Sequence, residues 1–189
     1  MPATRKNAKS RAAARQQDAL TLLKTDHATV KQLLKRFAAT SERATEQRRT
    51  LLNQIETEIK AHSRIEEEIF YPAYKEAVRS SDEHIYFESL EEHHLVDVVL
   101  AEIKTKGYDS KEFGAKAKVL KDLIEHHAGE EEKEMFPKAR KTMEVEQLRE
   151  LGRRMKARKE GLAAPMLTRV AMTAGRTMGK VFHRNKRAA

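Results

Sequence analysis

The chain has 189 residues, of which 35% are charged and 39% apolar, with a formal net charge of +9, seven glycines, four prolines and no cysteine. That length holds one domain with a real core plus tails, and the shortage of Gly and Pro favours helices over strands. Without cysteine, disulfides, iron–sulfur clusters, zinc–thiolate sites and thiol nucleophiles are excluded; with no membrane-length apolar run and no secretory leader, a soluble cytoplasmic protein is expected.

Residues 1–17 carry five basic side chains (Arg5, Lys6, Lys9, Arg11, Arg15) and no acid. They read as a solubilising disordered arm, with a nucleic-acid-binding arm or a transit peptide as alternatives. Leu20, Leu23, His27, Val30, Leu34 and Phe37 then share one face, which predicts a helix from Asp18 to Thr40. Leu51, Leu52, Ile55, Ile59, His62, Ile65 and Ile69 mark a second, from Gln47 to Tyr71; Pro72 either ends it or opens a continuing turn through Val78. Ser81 or Asp82 caps a third helix, with Tyr86, His93, Val96, Leu100 and Ile103 on its face, closed by Gly107. A fourth runs from Asp109 or Ser110 to Pro137 through Phe113, Leu120, Leu123, Ile124, His127 and Met135. Val145 to Lys159 forms a short, basic fifth. The stretch from 140 onward has a surplus of ten positive charges, which with the first arm leaves residues 18–139 at −6. Short connections make neighbouring helices antiparallel. The expected architecture is therefore all-α: an up-down four-helix bundle over 18–141, a basic arm before it, and a basic helix and tail over 142–189. The tails offer weak contact with nucleic acid or another anionic surface.

The chain repeats itself. A shift of 65 lays His62, Glu66, Phe70, Tyr71 and Pro72 on His127, Glu131, Met135, Phe136 and Pro137, and a shift of 66 lays Asp26, His27, Val30 and Leu34 on Glu92, His93, Val96 and Leu100. Each half is a helical hairpin that supplies one His from its first helix and a His plus a Glu, four apart, from its second. Residues four apart share a helix face, and Ile55 with Ile59, or Leu120 with Ile124, place each pair on the buried stripe. Burying these groups without compensation costs several kcal/mol on general grounds, so two facing pairs demand a cation. Four imidazoles and two carboxylates suit iron, manganese or zinc, and carboxylates set between two ions can bridge them.

A lone His-x-x-x-Glu arises by chance on solvated helices. His84 with Glu88 is such a pair, and neither His84 nor His183 is given a role. Glu67, Glu68, Glu130 and Glu132 read as exposed charge. His93 is preferred to His94 because the repeat and the run Val96, Leu100, Ile103 select it; His94 and His126 belong to the surroundings of the site or to the surface.

The order of motifs, Asp26-His27, then His62-x-x-x-Glu66-Glu67 with Phe70-Tyr71-Pro72, then Glu91-Glu92-His93, then His127-x-x-x-Glu131 with Met135-Phe136-Pro137, resembles the hemerythrin-like, or HHE cation-binding, domain family over Asp18 to about Arg140. The resemblance implies a four-helix bundle around a non-haem di-iron centre that meets dioxygen or a related small oxidant. It implies His27, His62, His93 and His127 as terminal ligands and Glu66 and Glu131 as bridges. The oxygen-carrying hemerythrins place two histidines four apart on the third helix, whereas here Ser89 and Asp97 flank His93 at that spacing. A missing ligand favours reaction over reversible carriage. Three classes follow: a di-iron protein that binds, senses or scavenges dioxygen, nitric oxide or peroxide, or handles iron; a di-iron oxidase or peroxidase with turnover; and a structural nucleic-acid-binding bundle. Ferritin-like mineralisation needs Glu-x-x-His on two helices, and only Glu91 to His94 matches.

Overall fold

The computed structural model describes residues 17–79 and 83–162; the first arm, the expected caps Ser81 and Asp82, and the tail with His183 lie outside them. Every regular element among the described residues is helical. Helix α1 spans Ala19–Ala38 and α2 spans Thr45–Ile65. A single π turn over Glu66–Phe70 follows and leads without a break into α3, Tyr71–Ala77. Helix α4 covers His84–Ile103, and α5 covers Lys111–Glu130. A second π turn, Glu131–Met135, leads into α6, Phe136–Thr142, and α7 occupies 145–162. None of these helices is long and apolar enough to cross a membrane.

Asp18 caps α1 by accepting from the Thr21 backbone N–H at 2.8 Å, and Ser110 caps α5 by accepting from that of Phe113 at 3.1 Å. Helix α4 ends at Ile103, four residues short of Gly107, because tight turns from Thr105 and Lys106 back to Glu102 and Ile103 already close it. Pro72 and Pro137 do not end their helices; each sits in the first turn of the α segment after a π turn, where a missing N–H is tolerated. In an unbroken α register each ring would meet the carbonyl four residues back. The Tyr71 N–H reaches the Glu66 carbonyl and the Phe136 N–H that of Glu131, the five-residue bonds that carry the chain past this obstacle.

The hairpins α1–α2 and α4–α5 each run antiparallel: His27 meets His62 while Thr40 meets Arg48, and His93 meets His127 while Glu102 meets Lys116. Arg48 ties the far ends together, donating to the Tyr108 carbonyl at 2.7 Å and the Thr40 hydroxyl at 3.0 Å while its guanidinium lies 5.5 Å from the Phe113 ring. The interior is two apolar clusters rather than one. One, at this end, gathers Val30, Leu34, Phe37, Leu51, Ile55, Leu100, Phe113 and Leu120. The other gathers Leu20, Leu23, Ile65, Phe70, Tyr71, Tyr74 and Phe136, and is closed by Leu148, Leu151 and Met155 of α7. Between the two lies a layer of buried His and Glu.

Helix α7 reaches this second cluster through a close crossing at Gly152, where an added Cβ would lie 2.6 Å from the Gln17 carbonyl oxygen and 2.9 Å from the Ala19 nitrogen. Both are backbone atoms and cannot rotate away. Gly152→Ala is expected to push α7 off the start of α1, costing about 1–3 kcal/mol as overpacking, read as a lower unfolding midpoint in denaturant. Asp18 supplies a pH-dependent contribution at the same corner. Burial pushes its carboxyl up, but the Thr21 hydrogen bonds and Arg140 at 2.8 Å prevail and hold it below its ordinary 3.8. A depressed folded-state value stabilises the fold above the unfolded value, and that contribution fades as pH falls through the folded one. Asp18→Ala should therefore cost about 1 kcal/mol at neutral pH, and the gap between variant and parent should shrink in unfolding curves taken below pH 3.8.

Candidate metal centre

The six residues singled out in the sequence meet in the polar layer. His27 from α1, His62 from α2, His93 from α4 and His127 from α5 are buried, and Glu66 and Glu131, which open the two π turns, are 0% exposed. One group of donor atoms comes from His27, His62, Glu66 and Glu131, and a second from Glu66, His93 and His127, all within 4.8 Å of one another in each group. The Nε2 atoms of His27 and His62 are 3.1 Å apart, and those of His93 and His127 are 3.2 Å apart. Glu66 is divided between the groups, with Oε1 at 3.2 Å from His62 and Oε2 at 3.4 Å from His93. Glu131 Oε2 lies 3.2 Å from His27 and 3.7 Å from His127. His93 faces in and His94 faces out, as the apolar run required.

Both oxygens of Glu66 and Oε2 of Glu131 are buried without a hydrogen bond. Such groups are rare in folded proteins and demand a partner. Paired ring nitrogens and carboxylate oxygens are all electron donors at this point, so a cation answers every one of them. The residues fit a metal.

The family model for the hemerythrin HHE cation-binding domain matches residues 18–139. The chain belongs to this family. It resembles the crystal structure of a hemerythrin HHE cation-binding domain-containing protein from Mycobacterium kansasii, at 26% identity and a TM-score of 0.71, over 82% of this chain and 93% of that one. No curated protein matches it. The protein is accordingly a metal-cation-binding HHE domain in a helical bundle.

In this HHE domain the outward ring nitrogens matter as much as the inward ones. His27 Nδ1 meets Glu132 at 2.9 Å, His93 Nδ1 meets Glu67 at 2.8 Å, and His127 Nδ1 meets Glu92 at 2.8 Å. His62 Nδ1 faces Asp26 at a longer 3.7 Å. A carboxylate that accepts from Nδ1–H fixes the tautomer and turns the Nε2 lone pair inward, the arrangement found behind metal-bound histidines. Glu67 is exposed as read and Glu132 is half-buried, but neither is merely surface charge: each orients a histidine of the opposite hairpin. Glu68 and Glu130 take other partners, Arg158 at 2.7 Å and His126 at 3.4 Å.

Tyr71 is the site residue that sequence reasoning missed. Its hydroxyl donates to Glu131 Oε1 at 3.0 Å and lies 3.4 Å from His93 Nε2. Burial, with Glu131 and Glu66 beside it, pushes the phenol well above its usual value, so it stays an O–H donor at neutral pH. Phe136, its counterpart in the repeat, stacks on His27 at 5.8 Å as Tyr71 stacks on His93 at 5.6 Å, but has no hydroxyl to offer Glu66. The demand for positive charge also shows in the imidazoles. Burial pulls His62 down, but Glu66 and Asp26 overcome it and push it up to about 10; His93 is likewise lowered by burial and raised by Glu66 and Glu67 to about 9. Glu66 is pushed up by burial and drawn well below its normal value by His62 and His93.

The orienting carboxylates give a direct check. Glu67→Gln and Glu132→Gln keep shape and remove charge, and each is expected to weaken metal retention about 10- to 100-fold with little change in fold. Metal analysis after dialysis against graded chelator, beside circular dichroism, reads both.

Proposed function

We propose that the six inward donors hold two iron ions and that the centre binds, senses or scavenges dioxygen, nitric oxide or peroxide. The observation that carries this is Glu66, fully buried, with one oxygen in each of two donor groups and no hydrogen bond on either. A carboxylate so placed suits two ions rather than one. Nitrogen and oxygen donors without thiolate fit iron, with manganese or zinc as substitutes that cellular supply could favour. Bound iron would supply one-electron redox chemistry.

The protein's own groups set the rest. The first donor group has four side chains and the second three, so the His93 and His127 side is the more open. The place that a second histidine on α4 would fill is taken otherwise: Ser89 is buried, and its hydroxyl donates to the Ile85 carbonyl at 2.8 Å, while Asp97 is exposed. Tyr71 holds its hydroxyl beside that open side, where the O–H that it gives to Glu131 could turn to a small oxidant and donate a hydrogen bond or a proton. Two surface clefts, one around Phe37 and Phe113 and one around Leu20 and Phe136, are lined by none of the six donors. A ligand of two or three atoms is the kind such an enclosed layer admits. The same features suit an oxidase or peroxidase, and turnover separates the two readings.

Protein from iron-replete cells should contain two irons per chain and show ligand-to-metal absorption in the near ultraviolet. Glu66→Ala combined with Glu131→Ala should lose most of that iron; unchanged iron content would end the bridging assignment. Peroxide added to the parent protein should be consumed about stoichiometrically for a sensor or scavenger and steadily for an enzyme.

A further inference from the structure

The two halves of the bundle treat their outer carboxylates differently. In the first half Asp26 sets one oxygen toward the His62 ring, and Lys159 of α7 places its ammonium 2.7 Å from the other and 3.2 Å from Glu58. A cation therefore sits between two carboxylates just outside the buried layer. Glu92 is the counterpart of Asp26. Its Oε2 takes the His127 Nδ1 at 2.8 Å, but no lysine among the described residues approaches its Oε1. That oxygen instead lies 3.5 Å from His126 Nε2, which is 3.4 Å from Glu130 Oε1. His126 and Glu130 have no equivalents in the first half, where Ala61 and Ile65 stand.

We propose that Glu92, His126 and Glu130 form a third cation site, at the surface, for a divalent transition ion such as zinc or ferrous iron. Separations of 3.4–3.5 Å are long for N–H···O hydrogen bonds, and neither contact has the geometry of one. They match the edge of a tetrahedron whose ligands lie about 2.0–2.1 Å from a central ion, an edge of roughly 3.3 Å. His126 and Glu130 are four apart on α5 and converge by the same spacing that brings His127 and Glu131 together inside, one residue further round the helix. The imidazole selects transition ions over magnesium and calcium. Glu92 is held by the His127 ring, so one donor is fixed before the ion arrives, while the exposed His126 ring leaves the fourth corner to solvent. The ion would occupy the place that the Lys159 ammonium holds in the first half, one carboxylate away from a buried histidine.

The site does not depend on which ions the interior holds, and the test is built as a difference. Metal-free full-length protein and its His126→Ala variant are titrated with zinc by calorimetry. All interior donors are common to both chains, so the parent should take up one ion more per chain than the variant. Glu130→Gln should keep that ion but bind it about tenfold or more weakly. His126 is exposed, so the variant should keep the parent's circular dichroism. Equal zinc stoichiometry and affinity in parent and His126→Ala would overturn the proposal, whatever the interior metal proves to be.

Discussion

Two carboxylates are buried at the centre of an apolar bundle, and the rest of the structure answers to that. Neither Glu66 nor Glu131 has any exposed surface, and three of their four oxygens lack a hydrogen bond. In a medium this dry, uncompensated negative charge costs several kcal/mol, more than one or two good side-chain contacts return. The compensation comes in layers. Four imidazoles surround the carboxylates, and the outer carboxylates Glu132, Glu67, Glu92 and Asp26 stand behind the imidazoles. Lys31 and Lys159 then close Glu132 and Asp26 at the surface, at 3.1 and 2.7 Å. In those two directions carboxylate, imidazole, carboxylate and ammonium follow one another outward, whereas Glu67 and Glu92 meet only histidines.

The pairing across the centre follows a two-fold pattern. Each hairpin gives its own second-helix histidine an acid from the residue before its first-helix histidine, Asp26 for His62 and Glu92 for His127. Each gives the other hairpin's first-helix histidine both a carboxylate and a stacking ring: Glu67 and Tyr71 serve His93, and Glu132 and Phe136 serve His27. The pattern breaks at one atom. Tyr71 has a hydroxyl and Phe136 does not, which is why one oxygen of Glu131 is satisfied while both of Glu66 are not. Asymmetry between two donor groups built from one repeated design thus begins with a single Tyr-to-Phe difference.

The six inward donors were legible in the sequence because three regularities coincided: a spacing of four, an apolar face leading into each pair, and a second copy. The repeat and the run Val96, Leu100, Ile103 together selected His93 over His94, and the structure turns them in and out accordingly. What escaped has a common cause. Sequence periodicity assumes 3.6 residues per turn, and the chain departs from that at Glu66–Phe70 and Glu131–Met135. A π turn returns to the same face after five residues, so Tyr71 follows Glu66 where an α-helix would have placed Phe70. The run Ile69, Phe70, Tyr71 before Pro72 was the available signal, since three adjacent apolar residues do not fit one α stripe. Glu67 and Glu132 escaped for another reason: a glutamate beside a buried one points away on its own helix, and only the neighbouring hairpin reveals that it meets a histidine.

Helix α7 bears on the centre although it supplies none of the six donors. Its Leu148, Leu151 and Met155 complete the apolar cluster below the polar layer, its Lys159 holds Asp26 behind His62, and its Arg158 holds Glu68 at 2.7 Å. A four-helix bundle without it would leave the end of that cluster open to solvent. By docking through the narrow crossing at Gly152, α7 helps keep Glu66 and Glu131 away from solvent, and burial of that kind strengthens every electrostatic interaction the two carboxylates make.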